Sequence, residues 1–147
     1  MEQEKIMPES IEILEGENGI KVIMDDIIKV GKEWCAFGSS GKAIEILGDW
    51  VDYWEEERQK NEIKLRAIID TSPKSMERGN ELMRMKNTEV RCTNDCFHPS
   101  STWIYGGRIA IIVWSKSNPF AIKITSEEVV KSYMDYFEIL WESARKF

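Results

Sequence analysis

Residues 92–125 read CTNDCFHPSSTWIYGGRIAIIVWSKSNPFAIKIT, and this stretch decides the fold. Gly106-Gly107 separates Trp103-Ile104-Tyr105 from the run Arg108 to Trp114. Two glycines accept the positive φ angles of a type I′ turn, so the pair predicts a hairpin. Ser117-Asn118-Pro119 turns the chain again, into Phe120 to Ile124. In the middle strand Ile109, Ile111 and Val113 share one face, and Ala110, Ile112 and Trp114 share the other. A strand apolar on both faces is covered on both sides. The stretch therefore predicts a central antiparallel meander, with Ile111, Ile112 and Val113 all buried.

Working outward, apolar spacing of 3.6 alternates with short strand-like runs. Ile11 to Leu14 is a short strand, and Ile20, Ile23, Met24, Ile27 and Ile28 form a helix stopped by Gly31. Trp34 to Phe37 is a compact strand before Gly38-Ser39-Ser40-Gly41. Ala43, Ile44, Leu47, Trp50, Val51 and Trp54 then lie on one long helix, with Glu55-Glu56-Glu57-Arg58 on its solvated side. Ile63 to Asp70 predicts another strand. Ser72-Pro73 starts a helix, a hydroxyl cap followed by a residue that needs no amide partner. Thr88 to Thr93 returns as a strand. Thr125 and Glu128 have capping-box spacing, ahead of a helix with Val130, Tyr133, Met134, Phe137, Leu140, Trp141 and Ala144 on one stripe. The order β-α-β-α-β-α-β-β-β-β-α predicts an α/β fold, a mixed sheet flanked by helices on both faces. Residues 1–147 read as a single domain, with 1–10 a tail or linker remnant.

Composition narrows the functional classes. With 42% hydrophobic and 31% charged residues, the chain has the balance of an ordinary globular protein. A net charge of −6, without a run of Lys and Arg, argues against a nucleic-acid surface in this segment. No apolar run reaches membrane-spanning length, and three cysteines suit a reducing cytoplasm. No membrane partner and a cytoplasmic location are expected.

Three constellations bear on chemistry. Cys92, Cys96 and His98, with Cys35 as a fourth, are conceivable zinc ligands, but the spacing is looser than the paired cysteines of structural sites. Cys96 and His98, two apart on extended chain, could share one side as nucleophile and base, yet no orienting group can be named. No metal, no cofactor and no catalytic residue are assigned. Gly38-Ser39-Ser40-Gly41-Lys42 joins a strand to a helix, where free amides attract anions, although neither P-loop nor dinucleotide spacing is present. Asp70-Thr71-Ser72 ends the next strand alike. Strand ends of this kind line one edge of an open α/β sheet. The expected ligand-binding set is Ser39, Ser40, Asp70, His98 and Ser100. Tyr53 widens the stripe of the second helix and leaves room for a dimer contact.

Several segments carry a family resemblance: Glu15 to Lys21, Phe37 to Ser40, Ile63 to Ile69, Ile104 to Ile112 and Val130 to Trp141. Together they resemble the C-terminal regulatory domain of archaeal TrmB-like transcription regulators. That domain is similar to a single phospholipase D repeat, whose motif is H-x-K-x4-D followed by glycine. On this sequence His98 matches the histidine, Ser100 stands in the lysine's place and Tyr105-Gly106 in the place of Asp-Gly. Without the lysine and aspartate, phosphodiester hydrolysis loses its electrostatic stabilisation. The resemblance thus implies a phospholipase D-like fold with a vacated site, serving effector sensing and dimerisation without enzymatic activity. It implies a homodimer, an unidentified small-molecule effector, and DNA reached only through a helix-turn-helix domain not present in this chain. The alternative is a phospholipase D-class phosphodiesterase or nuclease assembled across a homodimer, with His98 from each subunit.

Overall fold

The computed structural model describes residues 8–38, 40–94 and 99–147. Among these, the strands are β1 (Ser10–Glu15), β2 (Trp34–Gly38), β3 (Leu65–Ile69), β4 (Thr88–Cys92), β5 (Ser100–Tyr105), β6 (Arg108–Val113), β7 (Phe120–Thr125) and β8 (Arg145–Lys146). The helices are α1 (Gly16–Val30), α2 (Lys42–Leu47), α3 (Trp50–Lys60), α4 (Pro73–Met83) and α5 (Glu127–Ser143). All strands join one sheet in the order β1-β7-β6-β5-β2-β3-β4-β8. β2, β3 and β4 run parallel, and the other pairings are antiparallel. This is the expected mixed α/β sheet.

The glycine hairpin forms as predicted, with φ of 46° at Gly106 and 79° at Gly107. A side chain at Gly106 would also run into Val30, at the end of α1. β6 pairs with β5 on one side and β7 on the other, and Ile109, Ala110 and Ile112 are wholly buried. Ile111 and Val113 are only half-buried, against expectation. They lie on the face opposite Ile112, the side of the sheet that α5 covers.

Two apolar layers result. Ile20, Ile23, Met24 and Ile27 of α1, Val51 and Trp54 of α3 and Leu82 of α4 pack on Trp34, Leu65, Ala67 and Trp103. On the reverse face, Phe137 and Trp141 of α5 pack on Cys35, Ile68, Ile104 and Ile109. Helices therefore cover both faces.

Other corrections have local causes. The long second helix breaks at Gly48, whose φ of 62° and ψ of −142° form a backbone that suits glycine alone. β3 is shorter than predicted: the Ile63 carbonyl accepts from Arg58 Nη1 at 2.9 Å, and Ile63 precedes the pairing with β2. Ser72 caps α4 as expected, accepting from the Ser75 amide at 3.3 Å. The cap of α5 is Ser126, which accepts from the Val129 amide at 3.3 Å, because Thr125 is still paired within β7. Leu140, expected on the buried stripe of α5, is exposed. The terminal strand β8 was not foreseen, and with two residues it carries no periodicity to read.

Candidate functional site

Because β2 and β3 are parallel, their carboxyl ends reach the same edge of the sheet. β5 is antiparallel to β2 and begins at that edge, where Gly38 pairs with Ser101. Ser40 follows β2, Asp70 follows β3 and Ser100 opens β5. Of the expected site residues, Ser39 and His98 lie outside the described residues, as does Cys96.

The three described residues differ in circumstance. Asp70 is buried, and its Oδ1 accepts from the Ser72 amide at 2.9 Å, so the carboxylate is engaged in shaping the entry to α4. Ser100 is half-buried opposite Val113. Ser40 is half-buried too, and it alone of the three lines a cavity of about 70 Å³ beneath α2 and α3. That cavity exists because the sheet presents Ala36, Gly38 and Ala67 there, between the indoles of Trp34, Trp103 and Trp114. Trp34 meets Trp54 and Trp103 edge to face, at centroid distances of 5.2 Å and 5.5 Å. Trp114 Nε1 donates to Ser101 Oγ at 2.8 Å.

Two charged residues in the wall, Glu55 and Arg78, are buried, and Arg58 behind them is 0% exposed. Glu55 and Arg58, expected on the solvated side of the helix, are therefore interior. Arg58 Nε donates to Glu55 Oε2 at 2.8 Å, and Nη1 donates to the Ile63 carbonyl at 2.9 Å and the Asn87 carbonyl at 3.2 Å. Nη2 donates to Thr88 Oγ1 at 2.7 Å. Arg78 Nη1 pairs with Glu81 at 2.8 Å. The signal was present: Val51, Trp54, Glu55 and Arg58 fall at i, i+3, i+4 and i+7, which is one helical face.

Tyr105, which stands where the motif's aspartate would, lies at the opposite end of β5 from Ser100. Its hydroxyl donates to Asp26 Oδ2 at 2.9 Å, and Lys123 and Arg108 close on the same carboxylate at 3.1 Å and 3.3 Å. Burial first, and Asp26 second, hold the phenol well above its ordinary range. Cys35 packs with Phe137 and Trp141 under α5, whereas Cys92 packs in the layer on the other face. The two thiols cannot meet at one ion. Among the described residues no cluster of three His, Cys, Asp or Glu is placed to hold a metal, and no helix is long and apolar enough to cross a membrane.

No protein-family model matches the chain, and no curated protein matches it by sequence. Solved structures do match it in three dimensions. NucT from Helicobacter pylori superposes with a TM-score of 0.69 at 12% identity, over 95% of this chain and 100% of that one. Nuc from Salmonella typhimurium, a phospholipase D family member, gives 0.66 at 13% identity, over 95% and 99%. TrmBL2, an archaeal chromatin protein with a novel mode of DNA binding, gives 0.58 at 12% identity, over 99% of this chain and 56% of its own length. At such identities the likeness is one of fold, and in fold this chain is a phospholipase D-like α/β domain of the kind also found in TrmBL2.

Proposed function

We propose that the chain is a non-enzymatic effector-sensing and dimerisation domain of a TrmB-like transcription regulator. One observation carries this reading: β5 bears Ser100 and Tyr105 at the positions of the motif's lysine and aspartate. A hydroxyl cannot neutralise a phosphodiester as an ammonium does, and the Tyr105 phenol is already bonded to Asp26. Lys42 and Lys74, at the starts of α2 and α4, both face Glu45, at 3.9 Å and 3.1 Å. A fold of this kind without its charged partners is a scaffold on which a ligand can be held and not cleaved. Ser39, Ser40, Asp70, His98 and Ser100 are the proposed ligand-facing set. Any contact with DNA would come through a helix-turn-helix domain.

A second reading, a phosphodiesterase or nuclease built across a homodimer, draws on the fold shared with Nuc and NucT over nearly their full lengths. Bis-p-nitrophenyl phosphate separates the two. We expect no turnover above that of His98→Ala, and turnover that His98→Ala removes would establish the enzyme instead.

Dimerisation has its own support. Ile11 and Ile13 on the edge strand β1 are 76% and 68% exposed, and they pair with Ile124 and Ile122 on the α5 side of the sheet. Tyr136, Ile139 and Leu140 of α5 are exposed as well. These exposed apolar side chains can match themselves across a two-fold axis, while Lys131 and Asp135 on the same helix pair with each other at 3.7 Å. Tyr53, where a contact was expected, is exposed between exposed Asp52 and the acidic run from Glu56. The β1 and α5 surface is the proposed seat of the second copy.

A further inference from the structure

We infer that α5 of a second copy fills a trough on the sheet beside this chain's own α5, so that each helix is seated on β1 and β7 of the other copy. The inference deepens the dimerisation reading and rests on it, adding which surfaces meet. The first observation is uneven cover. Helices α1 to α4 pack on one face of the eight-stranded sheet, and α5 alone packs on the other, over β2, β3, β5 and β6. Register carries two rows of isoleucine past it, Ile109-Ile124-Ile11 and Ile111-Ile122-Ile13, across β6, β7 and β1. Ile109 is wholly buried, Ile122 and Ile124 are half-buried, and Ile11 and Ile13 are largely exposed. Two strands span about 10 Å, which is the width of one helix. Among the described residues no second helix lies there.

The second observation is the flank of α5 that looks onto this trough. Glu138 reaches Arg66 of β3 at 2.6 Å, and Arg91 of β4 lies 4.4 Å from the Trp141 ring centre, so that side of the helix faces β3 and β4. Each residue turns a helix by about 100°, which sets Glu138 to one side of buried Phe137 and sets Tyr136 and Leu140 to the other, toward β7 and β1. Past the first turn, the charged residues Lys131, Asp135 and Glu142 keep to the Glu138 side. Tyr136, Ile139 and Leu140 are exposed with no charge among them. A flank made for water carries charge, whereas this one fits the isoleucine trough.

Area agrees. Burying one such side chain removes about 60–120 Å² of apolar surface. Scaled for exposure, Ile11, Ile13, Tyr136, Ile139 and Leu140 of two copies supply on the order of 400–800 Å². A specific interface buries about 1,200 Å² or more, roughly three-fifths of it apolar, which is about 700 Å². The competing geometry joins the two β1 edges into one sheet. It would draw Glu12 and Glu15 of two acidic edges together and leave the trough open.

The test mixes two versions of the full chain, Ile13→Cys and Ile139→Cys, each also carrying Cys96→Ser, and oxidises them after their subunits have exchanged. We expect the mixed disulfide to exceed the Ile13→Cys homodisulfide by about tenfold. Ile139→Lys, on α5 alone, should weaken the dimer about thirtyfold in sedimentation, as loss of a central contact does, and keep the circular dichroism of the parent. An excess of the Ile13→Cys homodisulfide would mean edge pairing and would overturn the inference. So would parental dimer affinity in Ile139→Lys. A monomeric parent would remove the dimerisation reading itself, whereas a dimer with the wrong disulfide removes only this arrangement, so the two failures are distinguishable.

Discussion

Arg58 Nε lies 2.8 Å from Glu55 Oε2, and the two side chains are 0% and 3% exposed. The pair closes the gap between α3 and the turn into β4, where Arg58 also binds the carbonyls of Ile63 and Asn87. An ion pair sealed this well contributes little against an apolar replacement, but removing one partner strands a buried charge. Arg58→Ala should therefore lower stability by about 3–5 kcal/mol, read from urea denaturation. A loss under about 1 kcal/mol would mean that Glu55 is hydrated in solution.

Gly38 sits at the site edge with φ of 107°, and a methyl group there would stand 2.5 Å from the Ser100 carbonyl oxygen. Gly38→Ala must bend the backbone and also part β2 from β5. We expect it to cost more than about 2 kcal/mol. Gly31→Ala, at the αL cap of α1 where an added methyl group would stand 3.8 Å from the Ile28 carbonyl oxygen, should cost only about 1 kcal/mol. Equal losses would show that the β2–β5 approach is looser than this geometry.

Burial pushes the Cys35 thiol up from 9.0 to about 12, against the opposing pull of Arg66. The folded chain then keeps a proton that the unfolded chain gives up as pH rises past about 9. This contribution to stability is complete below pH 9 and is lost between about 9 and 12. The fall in urea midpoint from about pH 8 to 10.5 should be shallower in Cys35→Ala than in the parent. Tyr105 shifts in the same direction, so some slope will persist. Identical slopes would remove the buried-thiol account.

Sedimentation velocity should find a dimer at tens of micromolar, with an interface above about 1,000 Å² in total. Ile13→Lys, on the exposed edge strand, should return it to monomer without lowering the thermal midpoint of the monomer itself. A monomeric parent would count against both the interface and the dimer.

What the sequence determined by itself was local. Gly106-Gly107 specified a turn through φ, Ser72-Pro73 specified a helix start through its hydroxyl and missing amide, and period-2 and period-3.6 runs specified nearly every element in order. Those signals depend on neighbours within a few residues, so they survive without the fold. The placement of Ser40, Asp70 and Ser100 at strand ends was legible for the same reason, since it needs only the strand limits. Tertiary structure decided the rest. Cys35 and Cys92 sit on predicted strands, but sheet order and register put them on opposite faces. Glu55 and Arg58 carry charges that read as solvated until α4 and the turn before β4 enclose them. The cavity arises only where small residues of β2 and β3 come under α2 and α3 beside tryptophans from β2, β5 and the end of β6. Each of these depends on which surfaces meet across long stretches of chain, and a local pattern holds no record of that.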